Sequence, residues 1–103
     1  MSGFRVSPEA LNDLREIAAY VEGEWGVDFA QRTEDELYAC FERLGVHPGL
    51  GHRREDLTSR PFHFLTKNPY LIAYMRDETQ VIIVRILHGA RNVREILKTR
   101  AKN

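Results

Sequence analysis

Cysteine is nearly missing from this chain. Cys40 is the only one among 103 residues, so an internal disulfide is excluded and a reducing compartment is implied. Long apolar runs are missing too. The strongly apolar run Val81-Ile82-Ile83-Val84, like every other, falls far short of the roughly 20 residues that cross a bilayer. The first residues, Met1-Ser2-Gly3-Phe4-Arg5, lack the apolar core of an export signal, and the expectation is a cytoplasmic protein without membrane contact. There is no excess of either charge: 15 Lys and Arg face 15 Asp and Glu. Neutrality argues against generic nucleic-acid binding, whose affinity comes largely from neutralising phosphates. Internal repeats, low-complexity stretches, glycine-rich phosphate loops and a Ser–His–Asp pattern are all lacking, and no cofactor is implied.

What is present is a composition for one folded domain, residues 1–103. Hydrophobic residues make up 43% of the chain, too many for a disordered one. A chain of this length buries roughly two thirds of its unfolded surface. The charges are segregated. Residues 1–45 hold four Arg against ten carboxylates, a balance of minus six, whereas residues 85–103 hold six Lys and Arg against Glu95, a balance of plus five. The basic end is either a solvated tail or a local site for an acidic partner.

Phe4-Arg5-Val6 alternates as a short strand does. Ser7-Pro8-Glu9 then opens a helix: Ser7 caps, Pro8 needs no N–H in the first turn, and Glu9 suits the positive helix end. Leu11, Leu14, Ile17, Ala18, Val21 and Trp25 follow at helical spacing, with Gly26 as the stop, and Trp25 reads as core or as glue for the helical turn. Asp28-Phe29-Ala30-Gln31 offers a capping box for a second helix, with Ala30, Thr33, Leu37, Cys40, Phe41 and Leu44 inward and Gly45 at its end. So short a turn makes the helices an antiparallel hairpin. Residues 46–58 read as a loop. Strands are predicted at 62–67, 70–76 and 80–88, the last two joined by a turn at Asp77-Glu78-Thr79. Asn92-Val93-Arg94-Glu95 begins a short basic C-terminal helix. The predicted fold is therefore α+β, in the order β-α-α-β-β-β. An N-terminal strand and a helical hairpin pack on a mainly antiparallel four-stranded sheet, followed by a short helix or tail.

The last strand is apolar on both alternating faces, with Val81, Ile83 and Leu87 on one and Ile82, Val84 and Ile86 on the other. Such a strand is central, or its open face is covered by another polypeptide. Arg85 interrupts it on the side of Ile83 and Leu87, where a guanidinium requires a partner. That partner is either internal, an acidic residue such as Asp77 or one in the loop at Glu55-Asp56, or an acidic group on another protein. His47, His52 and His63 match no spacing of metal ligands, and no metal site is expected.

Three segments carry a family likeness: Val6-Ser7-Pro8-Glu9-Ala10 with Asp13-Leu14 and Ile17; Tyr70-Leu71-Ile72-Ala73-Tyr74; and Val84-Arg85-Ile86-Leu87-His88-Gly89-Ala90-Arg91. In this order, over roughly residues 4 to 97, the chain resembles the ParE branch of the RelE/ParE toxin superfamily. The resemblance implies the toxin of a type II toxin–antitoxin module, held in a hetero-oligomer by a small ParD-like antitoxin that covers the open sheet face, its edge and the outside of the hairpin. DNA is then contacted only indirectly, through the antitoxin. It also implies a non-enzymatic inhibitor of a protein target such as DNA gyrase. Arg53, Arg54, Tyr74, Arg76, Arg85, His88, Arg91 and Arg94 are the residues expected to meet target or antitoxin. The rival from the RelE side is a ribosome-dependent mRNA endonuclease using Arg85, His88 and Arg91, with Gly89 turning the chain at positive φ so that the three cluster. His88 in that reading exchanges protons near neutral pH, whereas a plainer reading has it bond backbone at a strand end. No aromatic residue follows Tyr74, which leaves the C-terminal segment without a ring to stack an RNA base. A third reading is a chain retained only as a binding or regulatory module.

Overall fold

The computed structural model describes residues 3–89 and 92–101. In chain order these form β1 (Phe4–Val6), α1 (Pro8–Trp25), α2 (Val27–Val46), a 3-10 turn (Pro48–Leu50), β2 (His52–Arg53), β3 (His63–Lys67), β4 (Tyr70–Arg76), β5 (Val81–His88) and α3 (Val93–Ala101). The α+β class and the element order agree with the prediction. The sheet has five strands rather than four, in the order β1-β5-β4-β3-β2. The extra strand, β2, lies inside the segment read as loop. It is only two residues long and both are exposed, too short for any alternation to register. β1 runs parallel to β5, and all other pairings are antiparallel.

Ser7 caps α1 as its sequence suggests, its Oγ accepting from the Ala10 N–H at 3.0 Å. The inward face of α1 is rotated from the expected one. Ala10, Asp13, Leu14 and Val21 are buried, while Leu11 and Trp25 face solvent. Gly26, at φ +95°, stops α1 and serves at once as the cap of α2. The capping role expected of Asp28 therefore falls to Gly26, because one left-handed residue reverses the chain with no spacer. Asp28 keeps the favourable acidic place in the first turn. Ala30, Leu37, Cys40, Phe41 and Leu44 turn inward, and α2 runs one residue past Gly45.

Two apolar clusters lie on opposite sides of the sheet. Leu14, Leu37, Phe41 and Leu44 of the hairpin meet Ile72, Tyr74, Val81, Ile83 and Ile86. On the other side Val93 and Leu97 of α3 join Phe62, Phe64, Leu71, Ala73, Ile82, Val84 and Leu87. β5 is thus central and doubly buried. Its second face is covered by the chain's own C-terminal helix, with Leu57 and Phe62, so of the two alternatives the strand is the central one, and the expectation that an antitoxin covers an open sheet face is corrected. The strict alternation predicted for β5 is corrected as well. Ala73 pairs with Arg85 but Tyr74 pairs with Ile83, so a β-bulge adds one residue to β5. Beyond the bulge the faces exchange, and Ile86 rather than Leu87 joins Val81 and Ile83.

Tyr74 anchors the long connection between α2 and β3. Its hydroxyl donates to the Pro48 carbonyl at 2.7 Å and accepts from the Gly51 N–H at 2.8 Å. A Cβ on Gly51 would lie 2.6 Å from both the Phe64 carbonyl oxygen and that hydroxyl, so only glycine lets the three segments meet. Asp77 closes the β4–β5 hairpin by accepting from the N–H groups of Thr79 and Gln80. These bonds hold its carboxyl below its ordinary pKa.

Candidate functional site

A bulge leaves backbone groups without ladder partners, and in β5 two buried polar side chains from the start of the chain supply them. The Ser7 hydroxyl donates to the Val84 carbonyl at 2.9 Å, and Asp13 Oδ2 accepts from the Ile86 N–H at 2.9 Å. The same carboxylate receives Arg85 in a two-point ion pair, Nε to Oδ2 at 2.7 Å and Nη2 to Oδ1 at 3.0 Å. Side-chain exposure is 8% for Asp13 and 18% for Arg85, so both charges are largely removed from water. Arg85 therefore has an internal partner, but not Asp77 or Glu55-Asp56. Those carboxylates lie in the second half of the sequence with Arg85, whereas the pairing spans 72 residues. One signal did mark Asp13: it sits three residues after Ala10 and four before Ile17, a carboxylate on a buried helical stripe.

The Asp13–Arg85 pair forms part of the wall of a cleft of about 630 Å³ between α1, the end of β5 and α3. Ile17, Ile86, Leu87 and Ile96 give it apolar surface, while Glu16, Tyr20, Tyr70 and His88 supply polar groups. Tyr70 meets the His88 ring edge-on, with centroids 6.0 Å apart. Burial, reinforced by Tyr20, pushes the Tyr70 phenol above its ordinary pKa, so at neutral pH it is protonated and able to donate. The cleft is an apolar trough with a few directional polar groups, suited to anchoring side chains of a partner segment. Its lining includes no excess of cations that would select phosphate.

A family model described as the ParE toxin of the type II toxin–antitoxin system parDE matches residues 4–93. Toxin ParE1 of Caulobacter vibrioides is 34% identical over 94 residues, spanning 91% of this chain and 96% of that protein. The chain belongs to the ParE toxin family. Toxin ParE3 of the same organism is also 34% identical, over 68 residues covering 66% of this chain and 67% of its own. Among solved structures, a chain from the chromosomal ParDE system of P. aeruginosa superposes with a TM-score of 0.75 over 85% of this chain and 96% of that one, at 17% identity, and so shows the shared fold. A chain of the RelBE2 toxin–antitoxin complex of Mycobacterium tuberculosis gives a TM-score of 0.52 at 26% identity, over 84% of this chain and 96% of that one.

This ParE-family chain does not gather its expected contact residues at one place. Arg85 and His88 line the cleft. Arg54 and Arg94 line a second groove, of about 400 Å³, beside α3. Arg54 is held there by Asp56, Nε to Oδ1 at 2.9 Å and Nη2 to Oδ2 at 2.8 Å, and this bond to the guanidinium holds the Asp56 carboxyl below its ordinary pKa. Arg53 is exposed on β2, 3.6 Å from Glu55. Arg76 is exposed at the far end of β4 from Tyr70, about 20 Å along the strand. Tyr74 is 1% exposed and occupied with Pro48 and Gly51, so the structure gives it an internal task. Arg91 lies outside the described residues. Gly89 does not take the positive φ expected of it; its N–H instead bonds the Pro69 carbonyl at 2.8 Å, carrying the hairpin one step beyond His88. Glu16, Tyr20 and Tyr70 went unrecognised as cleft residues, since they come from two distant segments and share no spacing. Among the described residues no three His, Cys, Asp or Glu side chains converge as metal ligands, and no helix is long and apolar enough to cross a membrane.

Proposed function

We propose that this toxin acts as a cytoplasmic, non-enzymatic inhibitor that binds a protein target, with DNA gyrase the first candidate, and is neutralised by a ParD-like antitoxin seated in the cleft between α1, β5 and α3. The observation that carries the reading is the Asp13–Arg85 pair. The most central cation of the nuclease trio is neutralised at two points by a buried carboxylate that also holds the Ile86 N–H, and so is built into the fold. A guanidinium so engaged has little left to offer a transferring phosphate. The cleft supports the antitoxin half of the reading, because apolar residues at its floor would anchor an amphipathic segment while Tyr20, Tyr70 and His88 fix its orientation. DNA would then be reached only through the antitoxin.

Co-expression with the adjacent short reading frame tests the antitoxin half. The two products are expected to co-purify and growth to recover; failure to co-purify, or normal growth when the toxin is expressed alone, would contradict it. His88→Glu, at the cleft rim, is expected to weaken antitoxin binding by about tenfold without unfolding the chain. For the target, induced double-strand DNA breaks with intact mRNA support gyrase poisoning. Codon-positioned cuts in primer extension would instead establish the RelE-type activity.

A further inference from the structure

The tip of the helical hairpin carries apolar surface that neither core uses. Trp25, Val27 and Phe29 are 59%, 65% and 42% exposed, and Tyr20, one turn back on α1, is 63% exposed. The rings form a chain: Tyr20 to Trp25 at 6.2 Å edge-on, then Trp25 to Phe29 at 5.7 Å. A hollow of about 270 Å³ opens beside them, between Trp25, Phe29 and the Asn68-Pro69 turn. Single exposed apolar residues need no explanation, but adjoining aromatics at a chain reversal are unusual, and Trp and Tyr dominate the energetics of protein interfaces.

The charge around this patch is predominantly negative. Residues 16–36 contain seven carboxylates and one cation, Arg32, which lies 5.2 Å from the Phe29 ring centroid; Lys67, on the wall of the hollow, is paired with Glu36 at 3.5 Å and leaves the other carboxylates in excess. Glu22, Glu24 and Asp28, next to the tip, are exposed. A second copy pairing through the same patch would bring these carboxylates together across a twofold axis, which disfavours self-association here. Complementarity calls for the opposite sign. The patch adjoins the cleft, sharing Tyr20 with it, but Trp25, Val27 and Phe29 lie outside the cleft lining.

We propose that the hairpin tip is a second docking surface of this toxin, taking a basic segment with an apolar anchor on the protein that the toxin acts on. The proposal rests on the toxin reading but not on the antitoxin's place in the cleft. Trp25 is the only tryptophan in the chain, so its emission reports occupancy of the patch directly. The purified chain is titrated with a tryptophan-free amphipathic peptide of lysine and leucine, and in parallel with its glutamate–leucine counterpart. The lysine peptide is expected to shift the emission to the blue and saturate, with apparent affinity falling about tenfold between low and high salt. The glutamate peptide is expected to leave it unchanged. The double variant Val27→Ser with Phe29→Ser should weaken the lysine peptide by about tenfold at unaltered helicity. Equal response to both peptides, or to neither, overturns the proposal. In cells the same double variant should lose growth inhibition while binding the antitoxin as tightly as the unaltered toxin. Retained toxicity overturns the proposal, and so does a matching loss of antitoxin affinity, which would assign the patch to the antitoxin. Failure of the unaltered chain to bind any antitoxin counts against the cleft assignment alone, since the peptide titration needs no antitoxin.

Discussion

Asp13 satisfies two groups that would otherwise be left unpaired, the Arg85 charge and the Ile86 N–H, while Ser7 takes the Val84 carbonyl beside them. Removing one partner of a buried pair strands the other, so Asp13→Ala is expected to cost about 3–5 kcal/mol in a urea melt. Replacing both, Asp13→Leu with Arg85→Met, should recover part of that loss, because no buried charge remains although the Ile86 N–H still lacks its acceptor. Arg85→Ala alone will therefore lower toxicity through folding, and its loss of activity says little about contact with a target. Asp77 gives a different test. Its N–H partners hold its carboxyl below the ordinary value of 3.8, so the ionised form is favoured by the fold. The contribution is complete above that ordinary value and is lost as pH falls through the lower folded one. Asp77→Asn should flatten the acid limb of a stability-versus-pH curve; an unchanged limb would show that the turn bonds contribute nothing. Of these residue-scale features, the Asp77 turn was legible because it is local. The Asp13 pairing was not, because nothing in a linear sequence connects positions 72 apart.

At the scale of elements, the strands and helices were readable wherever one face is buried and periodicity is imposed over several turns. α1 and α2 end and begin at Gly26 because a left-handed glycine needs no neighbours to act. β2 escaped notice because two exposed residues carry no pattern; it exists only because β3 offers an edge. α3 is the element that closes the second face of β5. Leu97 is fully buried on the second face of β5, so Leu97→Ala is expected to destabilise by about 2–5 kcal/mol and to raise binding of an apolar dye in the native state. A smaller effect would mean that α3 only rests on the sheet. Gly51→Ala should likewise be costly, since the new Cβ meets the Tyr74 hydroxyl and the Phe64 carbonyl and cannot be accommodated by a side-chain rotation alone. Loss of thermal stability together with a perturbed Tyr74 resonance would confirm the contact.

For the whole molecule, the segregation of charge is the feature with functional reach. The acidic hairpin and the basic C-terminal end sum to neutrality, yet each presents a field of its own sign to a partner. Binding at the hairpin tip should weaken with salt, whereas antitoxin binding in the apolar cleft should be the less salt-sensitive of the two; the ratio of their salt slopes, measured side by side, checks that division. The sequence by itself determined the α+β class, the order of the elements, the family likeness and the doubly apolar character of β5, because each follows from local spacing or from a run of neighbouring residues. Only the tertiary structure decided what covers β5, which carboxylate holds Arg85, and where the cleft opens. Those outcomes turn on a single inserted residue that reverses the alternation beyond it, and on which distant surfaces reach each other first in the packed chain. A bulge carries no fixed residue signature, and burial is a property of the assembled molecule rather than of any segment in it.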